Sequence, residues 1–220
     1  MIGMRRTKNK NTNMLKLIRI SLTITSIAIM AAGCSNPADE MTKANVEKAK
    51  STSDNSGVQG KKYTIAEGST IGFVGSKVTG SHDGGFKEFS GEIKVADGKI
   101  VGEPTIVIDM DSTWTDSDRL TRHLKTSDFF DVPSHPTSTF TVTAVDGTGE
   151  TANVTGNLDL HGVTKSISFP AKIAVNDMEV TLQAEFAFNR RDFNINYDGK
   201  ANDLIRDNVG ITLNIVAKPE

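Results

Sequence analysis

The chain of 220 residues sets 25 lysines and arginines against 27 aspartates and glutamates, a formal net charge of −2, with charged residues at 24% and 19 glycines and 6 prolines scattered without a period. That composition excludes a collagenous or wholly disordered chain. Once a leader and a tether are set aside, roughly 160 residues remain, room for one domain and no second large one.

Arg5, Arg6, Lys8, Lys10, Lys16 and Arg19 precede or enter an apolar run from Ile20 to Met30, which ends in Ala31, Ala32 and Gly33. The run is short of the roughly 20 residues a spanning helix needs, so residues 1–33 read as a cleaved secretory leader. Cys34 follows and is the single cysteine of the chain, so no intramolecular disulfide can form. AAGC at this place resembles the bacterial lipoprotein processing signal, which implies a lipidated Cys34 at the mature N-terminus. The plainer alternative is an incidental free thiol. Multiple acyl chains would make such an anchor stable, and Ser35 resembles the outer-membrane retention pattern, which implies the periplasmic face of that membrane in a cell with two. Losing the six basic residues of the leader leaves 19 basic against 27 acidic side chains, a net of −8. Nucleic acid is therefore not an expected partner.

Residues 34–60, rich in Ser, Asn, Lys, Asp and Ala, hold too few large apolar side chains for a core and are expected to be a flexible tether. A short helix within residues 38–50 would be marginal alone. Residues 61–220 are expected to be the folded domain.

From Lys61 the hydrophobic period becomes two. Ile71 and Phe73 share one face, as do Phe89, Gly91, Ile93 and Val95, then Ile106, Ile108 and Met110, then Phe140, Val142 and Ala144. Val154, Gly156, Leu158 and Leu160 continue the pattern, followed by the alternating runs Ile167 to Val175, Val180 to Phe188 and Val209 to Ile215. Eight or nine one-sided strands result, joined by turn signals at Asp97-Gly98, Asp146 to Gly149 and Asn176-Asp177. This is an all-β antiparallel meander, a barrel or a sandwich. The long runs at residues 164–175 and 179–189 favour closure into a barrel, because open edges of that length are adhesive.

Between Asp111 and Pro136 the alternation stops. Leu120 and Leu124 stand four apart behind the candidate caps Thr115, Asp116 and Ser117, with Asp118 at the start and His123 and Lys125 near the end. That is a short amphipathic helix with charges matched to its dipole. It sets Phe129 and Phe130 across one end of the sheet, as a plug or a movable lid, before Val132-Pro133 and His135-Pro136 restore extended geometry.

The run DRLTRHLKTSDFFDVPSHPTSTF, then GNLDLHGVTKSISF and NRRDFNI, resembles the YceI-like family of exported bacterial proteins over about Tyr63 to Lys218. Asn194 stands where that family more often has Gly. The resemblance implies an eight-stranded antiparallel lipocalin-like barrel that takes up an isoprenoid chain, of the polyprenyl or quinone type.

The chain shows no GxSxG, phosphate loop or dinucleotide fingerprint, and His82, His123, His135 and His161 fall in no metal-binding spacing. An enzyme is therefore not expected, nor a cofactor other than an apolar ligand. Inward Phe73, Phe89, Phe140, Leu158, Phe169, Phe186 and Phe188, interleaved with Gly91, Gly156 and Ala184, either line a cavity or pack a core, since eight strands enclose just enough space for one ligand. Phe129 and Phe130 complete the expected ligand-binding set, and Arg190 and Arg191 are the candidate polar rim. Binding of an isoprenoid or quinone-like lipid for storage, shielding or transfer is the leading expectation. A packed interaction module of the cell envelope and a hydrolase with a metal on His123, His135 and His161 are the alternatives, and a homodimer is left open.

Overall fold

In the computed structural model residues 36–52 and 57–220 are described, so the leader and Cys34 lie outside the described residues. In chain order come a 3-10 turn (Pro37–Asp39), β1 (Asn45–Lys48), β2 (Lys61–Ile65), β3 (Thr70–Lys77), β4 (Gly80–Phe86), β5 (Phe89–Ala96) and β6 (Lys99–Asp109). A second 3-10 turn (Met110–Ser112), β7 (Thr113–Thr115) and α1 (Asp118–Leu124) follow. Then come β8 (Thr137–Asp146), β9 (Gly149–Leu160), β10 (Val163–Val175), β11 (Val180–Asn189), a third 3-10 turn (Arg190–Phe193), the small hairpin β12 (Gly199–Lys200) and β13 (Asp203–Leu204), and β14 (Asn208–Pro219).

Eight strands close an antiparallel ring in the order β2-β5-β6-β8-β9-β10-β11-β14, with β14 returning to β2. Closure gives every strand of the ring a neighbour on both sides, and alternation sends one face of each strand inward. The hairpins at Asp97-Gly98 and His161-Gly162 have positive φ at both central residues, the geometry whose twist matches that of the strands they join. Asn194 ends the third 3-10 turn at φ 58. The left-handed region normally favours Gly, and Asn is among the few other residues that enter it readily.

One edge of β14 is shared. Ala217 to Pro219 pair with β2, whereas Gly210 to Asn214 pair with β3, which carries β4 and β7 with it. The wall therefore differs between the two ends of the barrel. At the β2 end it is the plain ring; at the other it continues through β3, β4 and β7 into α1, whose segment covers that end. Ser117 occupies the N-cap position without a side-chain cap bond; Thr115 instead bonds the Thr121 hydroxyl through both its N–H (2.9 Å) and its own hydroxyl (2.9 Å).

The expected tether is not free where it is described. β10 pairs with β11 only from Lys172 to Val175, and beyond that the two strands part. β1 fills the opening, running antiparallel to β10 from Asn45↔Ser168 to Lys48↔Lys165. Thr42 and Ala44 bond the backbone of Ala187 on β11 at 2.9 and 2.8 Å. Asn36, 4% exposed, accepts from Ser76 Oγ at 2.7 Å and from Ala38 N. No helix forms over residues 38–50, because the parted strands offer unpaired backbone groups that an extended segment satisfies. The composition looked core-less because this segment borrows another strand's hydrogen bonds and buries few apolar side chains, Ala38 fully and Ala44 and Val46 in part.

Register irregularities also correct the face assignments. β8 and β9 shift between Val142 and Ala144, a bulge after which Val145, not Ala144, lines the interior.

Candidate ligand cavity

The helix-covered end of the barrel is hollow. A cavity of about 530 Å³ opens there, within the size range of small-molecule sites. Its wall comes from β3, β4, β6, β8, β9, β10, β11 and β14, and its cover from α1 and the segment that follows.

Of the residues expected to hold ligand, Phe73, Phe129, Phe130, Phe140, Leu158, Phe169, Phe186 and Phe188 all line it. Phe89 does not; it is half-buried against the core. Three aromatic groups shape the space. Phe73, Phe86 and Phe130 form a triangle at the cover, with centroids 5.8, 6.4 and 6.1 Å apart. His123, Phe129 and Tyr197 form another at 5.1, 5.2 and 5.3 Å. The floor is Phe140, Phe169 and Phe186, the last two stacked at 4.1 Å with planes 9° apart. The edge contacts among them, Phe73 with Phe130 and His123 with Phe129 and Tyr197, are an arrangement that aromatic quadrupoles prefer.

Phe86 and Tyr197 were missed. Phe86 closes a glycine-rich strand, HDGGF, whose alternation has no other apolar residue to reveal it, and Tyr197 belongs to no strand. Two inward glycines carry aromatic rings. A Cβ at Gly156 would stand 2.4 Å from the Phe140 ring, and one at Gly84 2.4 Å from the Phe73 ring. The tips of the rings stand over these glycines, so the small residues seat aromatics rather than leaving open space.

Among the described residues the buried polar groups in the lining are matched. Arg190 is buried and donates to the carbonyls of Arg206, Ile195 and Ile205 and to Asp207. Burial, helped by the charge of Arg191 and opposed by Asp207, pulls its pKa below the usual arginine range. Arg191 does not line the cavity. The hydrogen bonds that Arg191 donates to Asp207 and Asp198 hold its pKa up. Asp203 bonds Lys77 and the Thr79 hydroxyl and N–H, and the Lys77 contact foremost holds its carboxyl below the usual range. That cluster ties the β3–β4 turn to the β12–β13 hairpin.

The three histidines do not converge. His135 and His161 meet edge to face at 5.2 Å, but His123 pairs with Asp128 at 2.8 Å. Among the described residues no group of three His, Cys, Asp or Glu is placed to hold a metal.

The comparisons with known proteins point one way. A crystal structure of Burkholderia cenocepacia BcnA superposes with a TM-score of 0.61 at 26% identity, over 68% of this chain and 96% of that one. A polyisoprenoid binding domain from Saccharophagus degradans, implicated in plant cell wall breakdown, superposes with a TM-score of 0.60 at 22% identity, over 74% of this chain and all of that one. A UPF0312 protein of Pectobacterium carotovorum is 32% identical over 122 residues, 52% of this chain, and the match spans 64% of that relative. A second, from Pseudomonas putida, is 39% identical over 90 residues, 40% of this chain and 47% of its own length. The matches span about a third to two thirds of the length of the curated relatives. The family model for the YceI-like domain matches residues 63–217, β2 through nearly all of β14, and the chain belongs to that family.

Proposed function

We propose that the protein binds one apolar isoprenoid or quinone-like chain in the hollow end of its barrel and stores, shields or transfers it without covalent chemistry. The observation that carries this is the cavity of about 530 Å³, walled by aromatic and aliphatic side chains on a stacked phenylalanine floor. Each methylene moved from water into such a space contributes roughly 0.8 kcal/mol, and burial alone can hold a long chain. Among the described residues no buried side-chain nitrogen or oxygen lacks a partner, so the walls ask nothing polar of a guest. The name of the Saccharophagus relative supports the same class of ligand.

The proposal includes export and anchoring through a lipidated Cys34, on the periplasmic face of the outer membrane where two membranes exist. β1 and the turn before it hold the chain from Asn36 against the barrel, so an acyl anchor two residues earlier would tether the domain on a short lead.

The test is to purify the full-length protein, extract it with organic solvent and identify what is released by mass spectrometry. A prenyl-chain lipid at about one per protein, far above its share in the membrane, is expected. Phospholipids in bulk proportion would sink the reading. Cys34→Ser is expected to move the protein from the membrane to the soluble fraction, and an unchanged membrane fraction would remove the anchor.

A further inference from the structure

The ring is parted in its side, and one segment of the chain closes the gap. From Lys165 to Ser168, β10 pairs with β1 instead of with β11, and on the far side Ala187 of β11 bonds Thr42 and Ala44. With a strand laid between them, β10 and β11 stand about two strand spacings apart there, roughly 9.5 Å. Both edges of this slot belong to the cavity wall. Phe169 follows Ser168, Phe186 and Phe188 flank Ala187, and all three phenylalanines line the cavity. The stack of Phe169 on Phe186 bridges the slot at one end. The third 3-10 turn closes the other, with the Phe193 side chain buried and its carbonyl 3.2 Å from His161 Nδ1.

The strap, Asn36 to Lys50, is fastened in a way that favours release. It is held by backbone groups and two asparagine amides. Asn157 on β9 grips Lys50 by both backbone groups, accepting from its N–H at 2.9 Å and donating to its carbonyl at 2.7 Å. At the other end Asn36 accepts from Ser76. Little apolar surface is covered: Ala38 is fully buried, and Ala44 and Val46 are half-buried. Lys48 stands opposite Lys165, and like charges so placed weaken that end of the ladder. The α1 cover is pinned differently, by the buried side chains of Leu124 and Phe129. Segments held by hydrogen bonds and few apolar contacts open at lower free energy than core strands. The ring also survives without the strap, since β10 stays joined to β11 at Lys172 to Val175 and to β9 along its length.

We infer that the strap is a displaceable stave, and that ligand passes through the side slot it uncovers rather than beneath α1. The inference rests on the cavity holding an apolar chain, and it adds the route. A hydrocarbon entering there meets Phe169 on one side and Phe186 and Phe188 on the other. The strap precedes the residues that match the family, so the gate belongs to this chain's own N-terminal segment. It also begins two residues after the anchor proposed at Cys34, which sets it at the membrane-proximal end of the folded chain.

The experiment follows all-trans retinol, a fluorescent isoprenoid alcohol, by stopped flow as it passes between phosphatidylcholine vesicles and the protein. The parent is the full-length Cys34→Ser protein, which has no native thiol. Glu47 and Ser166 face each other across β1 and β10, and facing positions of antiparallel neighbours come close to the spacing a disulfide spans. Glu47→Cys with Ser166→Cys therefore bolts the strap when oxidised and frees it when reduced. Uptake and release are expected to be about tenfold slower in the oxidised form than in the reduced form, at unchanged affinity. Ala44→Pro removes the N–H that bonds Ala187 and lies outside the ring, and it should speed exchange about threefold. Native-state hydrogen exchange is the second measurement. The Ala44 and Ala187 amides, which bond across the strap, are expected to exchange by local opening, ahead of the amides that join β9 to β10. Equal retinol rates in the oxidised and reduced forms overturn the gate and leave the cavity standing, as does exchange of Ala44 and Ala187 only on global unfolding. Failure of the parent to bind retinol overturns the cavity and the inference with it.

Discussion

The two ends of the barrel interior are built from the same residue types and behave differently. At the β2 end, Ile65, Ile93, Val145, Val154, Val180 and Ile215 surround a space of only about 50 Å³. At the other end, the wall made with β3 and β4 encloses about 530 Å³. Phe140 and Phe169 line both spaces and divide them. Hydrophobicity alone thus does not say whether a barrel is filled or hollow. What decides it is whether side chains from opposite walls reach each other, and the β14 edge that passes from β2 to β3 sets the walls apart where the cavity lies.

The largest expected effect lies at the divide. Phe169, 2% exposed and stacked on Phe186, should cost about 3–5 kcal/mol on truncation to Ala. Phe130, half-buried at the cover, should cost about 1 kcal/mol on the same change, because it already borders open space and leaves no new void. Denaturant unfolding of both variants measures the contrast, and equal losses would erase the distinction between floor and cover. Phe130→Ala should also weaken ligand binding more than it weakens the fold.

Gly156→Ala sharpens the comparison from the other side. Its methyl group would meet the Phe140 ring at 2.4 Å, so the ring must swing off the strand. A loss of about 1–3 kcal/mol from overpacking is expected, with a narrower cavity read out as weaker binding of long-tailed ligands. A neutral variant would show that the ring is not held on the glycine.

The smallest effect concerns the rim. Asp203 has its folded pKa depressed, chiefly by Lys77, so its contribution is present above the ordinary carboxylate pKa and is lost as pH falls through the lower folded value. The contact between the β3–β4 turn and the β12–β13 hairpin should therefore loosen in acid while the ring persists. The Thr79 amide, which donates to Asp203 at 3.1 Å, reports this directly by its NMR shift. Asp203→Asn should remove the acid-dependent change, and a transition that survives it would place the titration elsewhere.

Much of this was legible before any coordinates. A period of two exposes which face of a strand is dry, so Phe73, Phe140, Leu158, Phe169, Phe186 and Phe188 could be assigned to the interior one by one. Phe129 and Phe130 stood out because they interrupt that period. Phe89 failed because facing inward does not say which end of the barrel a residue faces, and Phe86 because glycines silence the alternation around it. The segment from Asn36 to Lys50 failed for a related reason: composition measures whether a segment can build a core, not whether a gap between β10 and β11 awaits an added strand.

The sequence by itself determined most strands of the ring, most of their inward faces, the helical interruption and the family, because each is written in local spacing or in short motifs. Only the tertiary structure decided where the barrel is hollow and which arginines spend their charge on neighbouring carboxylates. Those properties depend on side chains far apart along the chain, and closure of the ring sets the distances between them.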